Sequence, residues 1–199
     1  MNDETTWVVQ AQQGSNEAFT HLVEAYQTHV YNLCYRMLGE PESAEDAAQE
    51  TFLRAFQHLH RYDLKRPFAT WLLSIAAHYC IDRMRRRKFS MVSLEADEED
   101  GGVELPDLNT PNPESEVMHS EQRKQIQILL RKLDPVDRAA VVMRYWHDCS
   151  EAEIGEALNL TVSAVKSRLH RARRELARLW QADTLRPRNE RRPHESPAF

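Results

Sequence analysis

The chain has 199 residues, of which 41% are hydrophobic, enough for one domain or for two small ones with modest cores. No apolar run reaches the roughly 18 to 20 residues of a membrane span, and the N-terminus lacks a secretory signal pattern, so we expect a cytoplasmic protein without membrane insertion. Its three cysteines, Cys34, Cys80 and Cys149, lie far apart and outside any Cys-x-x-Cys pair, which excludes a disulfide framework or a zinc site built on cysteine spacing. We expect buried thiols, with a redox role as the alternative.

The net charge of −5 conceals a strong segregation along the chain. Counting Lys and Arg against Asp and Glu gives −1 for residues 1–88, −9 for 89–118, +4 for 119–182 and +1 for 183–199. Because binding to a polyanion responds to local potential, an acidic protein can still carry a basic nucleic-acid-binding surface.

Apolar residues recur at helical spacing in three successive segments before residue 88. The first segment is closed by Gly39 and Pro41, the second begins among acidic residues that favour a helix N-terminus, and the third ends in five cations between residues 83 and 88. The three predicted apolar stripes are Ala18, Leu22, Val23, Tyr26, Val30, Leu33, Cys34 and Met37; Ala44, Ala47, Ala48, Phe52, Ala55, Phe56 and Leu59; and Phe68, Trp71, Leu72, Ile75, Ala76, Tyr79 and Met84.

Residues 89–118 predict an acidic flexible linker, because they carry nine carboxylates, no Lys or Arg, three prolines and the pair Gly101–Gly102. After the linker, leucines and an isoleucine at residues 126–133 mark a helix, and Asp134–Pro135 is typical of an N-cap followed by a first helical residue. The predicted fold is all-α, with two small helical domains at 1–88 and 119–182, the linker 89–118 between them and a disordered tail at 183–199.

Residues 150–178 predict a helix-turn-helix in the second domain. Ser150 and Glu153 have the spacing of a capping box, and Asn159-Leu160-Thr161 offers a residue that tolerates left-handed angles and a hydroxyl that can cap the next helix. The second helix has an apolar arc (Val162, Val165, Leu169, Ala172, Leu176, Leu179) opposite a polar, basic face (Lys166, Ser167, His170, Arg171, Arg174, Arg178). A solvated amphipathic helix is the alternative, but the preceding short helix and turn favour a DNA-binding unit.

Cations alternate with aromatic residues at residues 62–71, immediately before the third helix. Basic groups can follow a phosphate backbone while aromatic rings stack on unpaired bases, so this mixture suits single-stranded nucleic acid. For Tyr62, Phe68 and Trp71 the alternative is core packing, and for the cations at 83–88 it is stabilisation of a helix C-terminus.

Several sequence strings, in order, resemble an extracytoplasmic-function sigma factor, the small two-domain class of bacterial RNA polymerase initiation subunits. The strings are residues 44–56 (AEDAAQETFLRAF), 66–76 (RPFATWLLSIA), 81–87 (IDRMRRR), Leu133-Asp134-Pro135, Glu153-Ile154 and 165–173 (VKSRLHRAR). The resemblance covers roughly residues 15–180 and implies an RNA polymerase sigma factor that directs core polymerase to promoters and assists DNA melting.

The resemblance also implies which residues make each contact. The outer face of the helix at residues 42–59 would dock on the clamp helices of the large polymerase subunit, through Asp46, Gln49, Glu50, Leu53 and Arg54. The minus ten element would be melted and held by Lys65, Arg66, Phe68, Trp71, His78, Asp82, Arg83 and Arg86, with one base extruded. The minus thirty-five duplex would be recognised by Lys166, Ser167, His170, Arg171 and Arg174.

Two positions depart from the family pattern: His78 stands where Asn is common, and Ala164 replaces a usual Thr. For the docking face, a solvated surface stabilised by a Glu50–Arg54 pair is the alternative.

The expected partners are the polymerase core, duplex and single-stranded promoter DNA and, as a candidate, an anti-sigma factor. The linker carboxylates from Glu95 to Asp107 form a further hypothesis, since they could imitate an RNA backbone inside the polymerase cleft.

Two other classes of protein compete with this interpretation. A stand-alone helix-turn-helix regulator would bind duplex DNA without polymerase. An enzyme would need a catalytic motif, yet the sequence has no phosphate-binding glycine-rich loop, no His-Glu-x-x-His pattern and no Gly-x-Ser-x-Gly nucleophile. His58-x-His60 and His78-x-Cys80 lack neighbouring metal-ligand partners, so we expect no enzyme activity, no cofactor and no metal.

Overall fold

The computed structural model describes residues 3–93 and 124–184, and within those ranges all regular structure is helical. The described residues form eight α-helices in succession, with a 3-10 turn at Leu59–Arg61 after α3. They are α1 (Asp3–Gln12), α2 (Asn16–Leu38), α3 (Pro41–His58), α4 (Phe68–Ser93), α5 (124–131), α6 (Pro135–Trp146), α7 (Glu151–Leu158) and α8 (Val162–Thr184). The predicted all-α class is confirmed.

Local sequence signals set several helix ends as predicted. Gly39 ends α2 in the left-handed region, with φ 84°, and its N–H donates to the Tyr35 carbonyl at 2.8 Å. Asp134 caps α6 by accepting from the Val136 N–H at 3.0 Å, and Pro135 is the first helical residue.

Two boundaries and one helix differ from the prediction. The sequence did not predict α1. Only Val8 and Ala11 of its ten residues are buried, so the helix has a weak apolar stripe. The helix α4 extends to Ser93, five residues into the predicted linker, and α8 extends to Thr184, into the predicted tail. The rest of the linker, with the carboxylates proposed to imitate RNA, and the tail from residue 185 lie outside the described residues.

In the first half of the described chain, residues 3–93, the core is built around α2, which packs against α1, α3 and α4. In the second half, residues 124–184, α6, α7 and α8 pack together. The two halves also touch, since α4 contacts α6 and α7, and α2 contacts α6. The predicted stripes supply the buried side chains, among them Leu22, Leu33, Met37, Leu72 and Val165. The three cysteines are buried, free thiols, as predicted.

The sequence predicts two residues to be buried that the structure leaves exposed, and these predictions are wrong. Phe56 is 48% exposed, and its ring lies edge-to-face with that of Phe19, with centroids 5.0 Å apart. Val162 is 42% exposed because it is the first residue of α8, whereas Val165, one turn later, is buried. Among the described residues, no helix has both the length and the apolar character needed to cross a membrane.

Candidate nucleic-acid interface

The turn between α7 and α8 has the geometry that the sequence predicts for a helix-turn-helix. The capping box is complete: the Ser150 hydroxyl accepts from the Glu153 N–H at 3.2 Å, and the Ser150 N–H donates to Glu153 Oε2 at 2.8 Å. These hydrogen bonds favour the ionised carboxylate and hold the pKa of Glu153 below its ordinary value. The start of α7 is therefore fixed by its own first turn.

Asn159 and Gly155 shape the tight connection to the next helix. Asn159 takes the left-handed conformation, with φ 55°, and the Leu160 N–H donates to the Gly155 carbonyl at 2.7 Å. A Cβ on Gly155 would lie 2.7 Å from the Leu160 carbonyl oxygen, so only glycine allows this close approach. Thr161 then caps α8 by accepting from the Ala164 N–H at 3.2 Å.

The helix α8 separates an apolar face from a basic one. Val165, Leu169 and Ala172 are buried at 4% exposure or less, which orients the helix against α6 and α7. The five side chains predicted to contact the minus thirty-five element are all exposed on the opposite side: Lys166, Ser167, His170, Arg171 and Arg174. We call these five residues the recognition face. Its first four members line one shallow depression together with Leu160, Ala164 and Arg168.

Two ion pairs involve α8. One holds the helix against α6, and the other engages a residue of the recognition face. Arg168 Nη1 lies 2.5 Å from Asp137 Oδ1, which ties α8 to α6, so this cation has a structural role. Lys166 Nζ lies 3.7 Å from Glu151 Oε2 on α7, with the lysine 62% exposed. An exposed pair of this kind is weak, so a phosphate can compete for Lys166.

In the first half, the segment at residues 62–71 consists of a compact turn (62–67) and the first four residues of α4. The Asp63 side chain accepts from the Lys65 N–H at 3.0 Å, and the Asp63 carbonyl accepts from the Arg66 N–H at 3.0 Å. Gln12 of α1 donates its amide to the Leu59 and Tyr62 carbonyls, at 3.0 and 2.9 Å. The unpredicted helix α1 therefore supports this turn.

An aromatic cluster of Tyr26, Tyr62, Phe68 and Trp71 lies beneath the turn. Neighbouring ring centroids are 4.9 to 5.6 Å apart, in tilted and edge-to-face arrangements. The Tyr62 hydroxyl donates to the Arg66 carbonyl, and burial raises the pKa of Tyr62 to about 12. The cluster fixes the path of the backbone that carries the cations.

Among the predicted minus ten contacts, Phe68 fits the alternative of core packing. It is 3% exposed and enclosed by three other rings, so it packs in the core and cannot stack on a base in this arrangement. Lys65 and Arg66 are exposed at the surface of the turn, and Trp71 is partly exposed.

The remaining predicted minus ten contacts follow along α4. His78 is exposed, and its Nδ1 lies 2.8 Å from the Ser74 carbonyl, while Asp82 and Arg86 are also exposed. Arg83 differs, because it reaches Ser43 Oγ at 3.2 Å and Asp46 Oδ2 at 3.5 Å on α3. The cationic surface of α4 is thus partly neutralised by α3.

The predicted docking face on α3 combines charged pairs with apolar side chains. Arg54 Nε lies 2.7 Å from Glu50 Oε1, as the alternative interpretation expects, and its guanidinium stacks 4.9 Å from the Tyr79 ring. Asp46 and Gln49 are exposed, and Leu53 and Phe56 are about half-exposed. Sequence periodicity placed Phe56 in the core, and its exposure adds it to this face.

Sequence reasoning missed the contacts that join the two halves. Arg66 Nε lies 2.7 Å from Glu156 Oε1, and the Thr70 hydroxyl donates to Glu153 Oε1 at 3.2 Å. The partners are more than 80 positions apart in the chain, so no local pattern could reveal them. Among the described residues, no cluster of His, Cys, Asp or Glu could hold a metal ion.

Comparison with known families and proteins agrees with this geometry. Residues 22–90 match the Sigma-70 region 2 family, and residues 123–176 match Sigma-70, region 4. The chain is 38% identical to the ECF RNA polymerase sigma factor SigW of Bacillus subtilis over 85% of this chain and 92% of that protein. It is 35% identical to the ECF RNA polymerase sigma factor SigE of Mycolicibacterium smegmatis over 82% of this chain and 62% of that longer protein.

A solved structure has the same arrangement of helices. The structure of CnrH, a sigma factor of Cupriavidus metallidurans, in complex with the cytosolic domain of CnrY superimposes with a TM-score of 0.66 at 26% identity. The match covers 92% of this chain and 99% of that chain. With both sigma regions matched and a relative at 38% identity over nearly its full length, the chain belongs to the ECF class of the sigma-70 family and is an RNA polymerase sigma factor.

Proposed function

We propose that this sigma factor positions RNA polymerase core on a promoter through two separate surfaces. The recognition face of α8 binds the minus thirty-five duplex, and the turn at residues 62–71 with the following part of α4 holds the melted minus ten strand. The observation that best supports this division is the recognition face itself, whose five polar or charged side chains are all exposed on one side of a correctly capped helix-turn-helix. The proposed domain limits are those predicted, 1–88 and 119–182, with α4 extending past the first.

The outer face of α3 is the proposed site for the clamp helices of the polymerase large subunit. Exposed Leu53 and Phe56 supply apolar contact area, and the Glu50–Arg54 and Asp46–Arg83 pairs supply charge at the rim. Asp46 and Gln49 are exposed beside them. The polymerase carries out the chemistry, so the chain itself acts without enzyme activity, in the cytoplasm.

An anti-sigma factor is a further proposed partner. The related CnrH was solved bound to the cytosolic domain of CnrY, so at least one relative at 26% identity forms a complex with another protein. A cleft of about 450 Å³ between α2 and α3, lined by Val23, Tyr31, Ala48 and Phe52, offers such a partner an apolar surface.

Run-off transcription from fragmented genomic DNA, with core polymerase and this subunit, tests the proposal. We expect discrete transcripts that require both proteins. A gel shift on the promoters so found separates the alternatives: tight, specific binding to duplex without core polymerase would favour a stand-alone regulator and overturn the assignment.

Arg171→Ala tests the recognition face within the same assay. Loss of one base or phosphate contact costs about 1 to 3 kcal/mol, and we expect a corresponding fall in promoter-specific transcription. Lys132→Ala is the control, because Lys132 is an exposed cation in the turn after α5 and is not part of the recognition face. Equal activity of the Arg171 variant and wild type would remove α8 from promoter recognition.

A further inference from the structure

The exposed side of α4 carries a histidine whose tautomer is set by the backbone. His78 is exposed, and its Nδ1 lies 2.8 Å from the Ser74 carbonyl oxygen, one turn earlier in the helix. A carbonyl oxygen can only accept, so Nδ1 carries the hydrogen of this bond. In the neutral ring the other nitrogen, Nε2, then has no hydrogen and presents a lone pair. His78 therefore offers an acceptor to a molecule that approaches α4.

Asp82 places a second acceptor beside the first. It lies four positions after His78, and residues at this spacing are neighbours on one helix face, with Cβ atoms about 5 to 6 Å apart. An ionised carboxylate has acceptor atoms and no donor. Asp82 is exposed, and within residues 3–93 and 124–184 no ion pair or hydrogen bond engages it. We call His78 and Asp82 the acceptor pair.

The surroundings of the acceptor pair suit an unpaired base better than a phosphate. Exposed cations precede it in the turn at residues 62–67 and follow it at Arg86, so phosphates have positive partners on either side. A carboxylate repels a phosphate, so Asp82 itself cannot be a backbone contact. Trp71, about two turns before His78 on the same face and partly exposed, offers a ring on which a base can stack.

The four bases differ in what they offer to two acceptors. Adenine and cytosine carry an exocyclic amino group with two N–H donors, and guanine carries its N2 amino group. Thymine has no amino group and presents a single N–H between two carbonyl oxygens. A base extruded from the stack is recognised through hydrogen bonds to its Watson–Crick edge, so the acceptor pair meets donors on three bases and mainly acceptors on thymine.

We propose that His78 and Asp82 select an amino-bearing base, adenine, cytosine or guanine, against thymine at one position of the melted minus ten strand. The inference rests on the proposed assignment of α4 to that strand and adds the chemical class of base that it recognises. Nε2 of His78 and a carboxylate oxygen of Asp82 accept from the N–H groups of the base. An asparagine at residue 78 would carry a donor as well as an acceptor and would not impose this choice.

Transcription from a promoter library tests the preference. A promoter found by run-off transcription is randomised at its minus ten positions, each template carries a barcode inside the transcript, and the barcodes of the products are sequenced. We expect the wild-type holoenzyme to deplete thymine about five- to tenfold at one position, as for one good base contact. Asp82→Asn and His78→Asn each supply an N–H donor and should relieve the depletion at that same position.

Arg86→Gln is the matched control, because Arg86 is exposed on the same helix and its loss also changes the charge of α4. Removal of a phosphate contact weakens binding uniformly across sequences, so we expect lower total transcription with the thymine depletion unchanged. Persistence of the depletion in either acceptor-pair variant, or its relief by Arg86→Gln, would overturn the proposal.

The tautomer of His78 can be measured without DNA or polymerase. Long-range ¹H–¹⁵N NMR spectra, recorded where the ring is neutral, distinguish a protonated ring nitrogen from one with a lone pair, and the spectrum of His78→Asn assigns the signals. We expect the hydrogen on Nδ1 and the lone pair on Nε2. A hydrogen on Nε2 would overturn the inference while leaving the sigma activity intact, whereas absence of promoter-dependent transcription by wild type would overturn the proposed function.

Discussion

The recognition face of α8 and the segment at residues 62–71 are both proposed to present cations to nucleic acid, but they are supported differently. The recognition face is exposed on a helix that its own neighbours α6 and α7 hold through Val165, Leu169 and the Arg168–Asp137 pair. The turn depends on α1, on an aromatic cluster and on α7 from the other half, which pairs Glu156 with Arg66.

The recognition face is exposed and preformed, whereas Arg66 of the 62–71 segment is engaged by Glu156 of α7. Duplex DNA presents its groove without rearrangement, so a rigid exposed helix suffices. Single-stranded DNA becomes available only after melting, and in this arrangement the surface proposed for it contacts the carboxylates of Glu153 and Glu156. Three measurements test how these two surfaces are supported.

Phe68→Ala removes the centre of the aromatic cluster. Phe68 is 3% exposed and touches three rings, so we expect the free energy of unfolding to fall by about 3 to 5 kcal/mol, measured by denaturant titration. The control Lys65→Ala, on the exposed face of the same turn, should change it by less than about 0.5 kcal/mol. Similar small losses in both variants would show that the cluster does not support the turn.

Acid should weaken the contact between the halves through His147. Burial, followed by His29 and Arg36, lowers the pKa of His147 to about 4 in the folded protein, and neither ring nitrogen has a hydrogen-bond partner. Because the unfolded chain binds this proton near pH 6.5, stability is complete above that pH and declines as pH falls towards 4, by up to about 3 kcal/mol.

His147→Phe isolates this contribution, since phenylalanine fills the site without titrating. We expect the unfolding free energy of the variant to change less than that of wild type between pH 6.5 and 4. Parallel pH profiles for the two proteins would show that another group is responsible.

Ser150→Ala gives the smallest effect and concerns the support of the recognition face. Loss of the hydroxyl removes one half of the capping box at α7, and we expect a destabilisation of about 1 kcal/mol in thermal or denaturant unfolding. Ser163→Ala is the control, because Ser163 is exposed near the start of α8 and Thr161 already supplies the cap there. An equal effect of both substitutions would contradict a specific role for the capping box.

Local chemistry allowed much of the fold to be predicted. The caps at Ser150, Asp134 and Gly39 and the left-handed Asn159 depend on residues within one helical turn, so the printed sequence reveals them directly. The recognition face could be predicted for the same reason: helical periodicity alone separates Lys166 and Arg171 from Val165 and Leu169.

Periodicity could not decide how far each stripe is covered. It assigned Phe56 and Val162 to the core, although their neighbours leave them about half-exposed, and it could not choose between base stacking and burial for Phe68. It also gave too weak a signal for α1, whose function is to hold the turn through Gln12. These outcomes depend on which other helix lies above a given face.

The helices other than α1, their caps, the segregation of charge and the residues of the helix-turn-helix follow from the amino-acid sequence, since each depends on interactions between near neighbours. The tertiary structure was needed to show that Arg66 meets Glu156, that Thr70 meets Glu153 and that Gln127, Arg131 and Arg138 cap α2. Such contacts join residues more than 80 positions apart, and they form because packing brings unpaired carbonyls and opposite charges together, which no local pattern encodes.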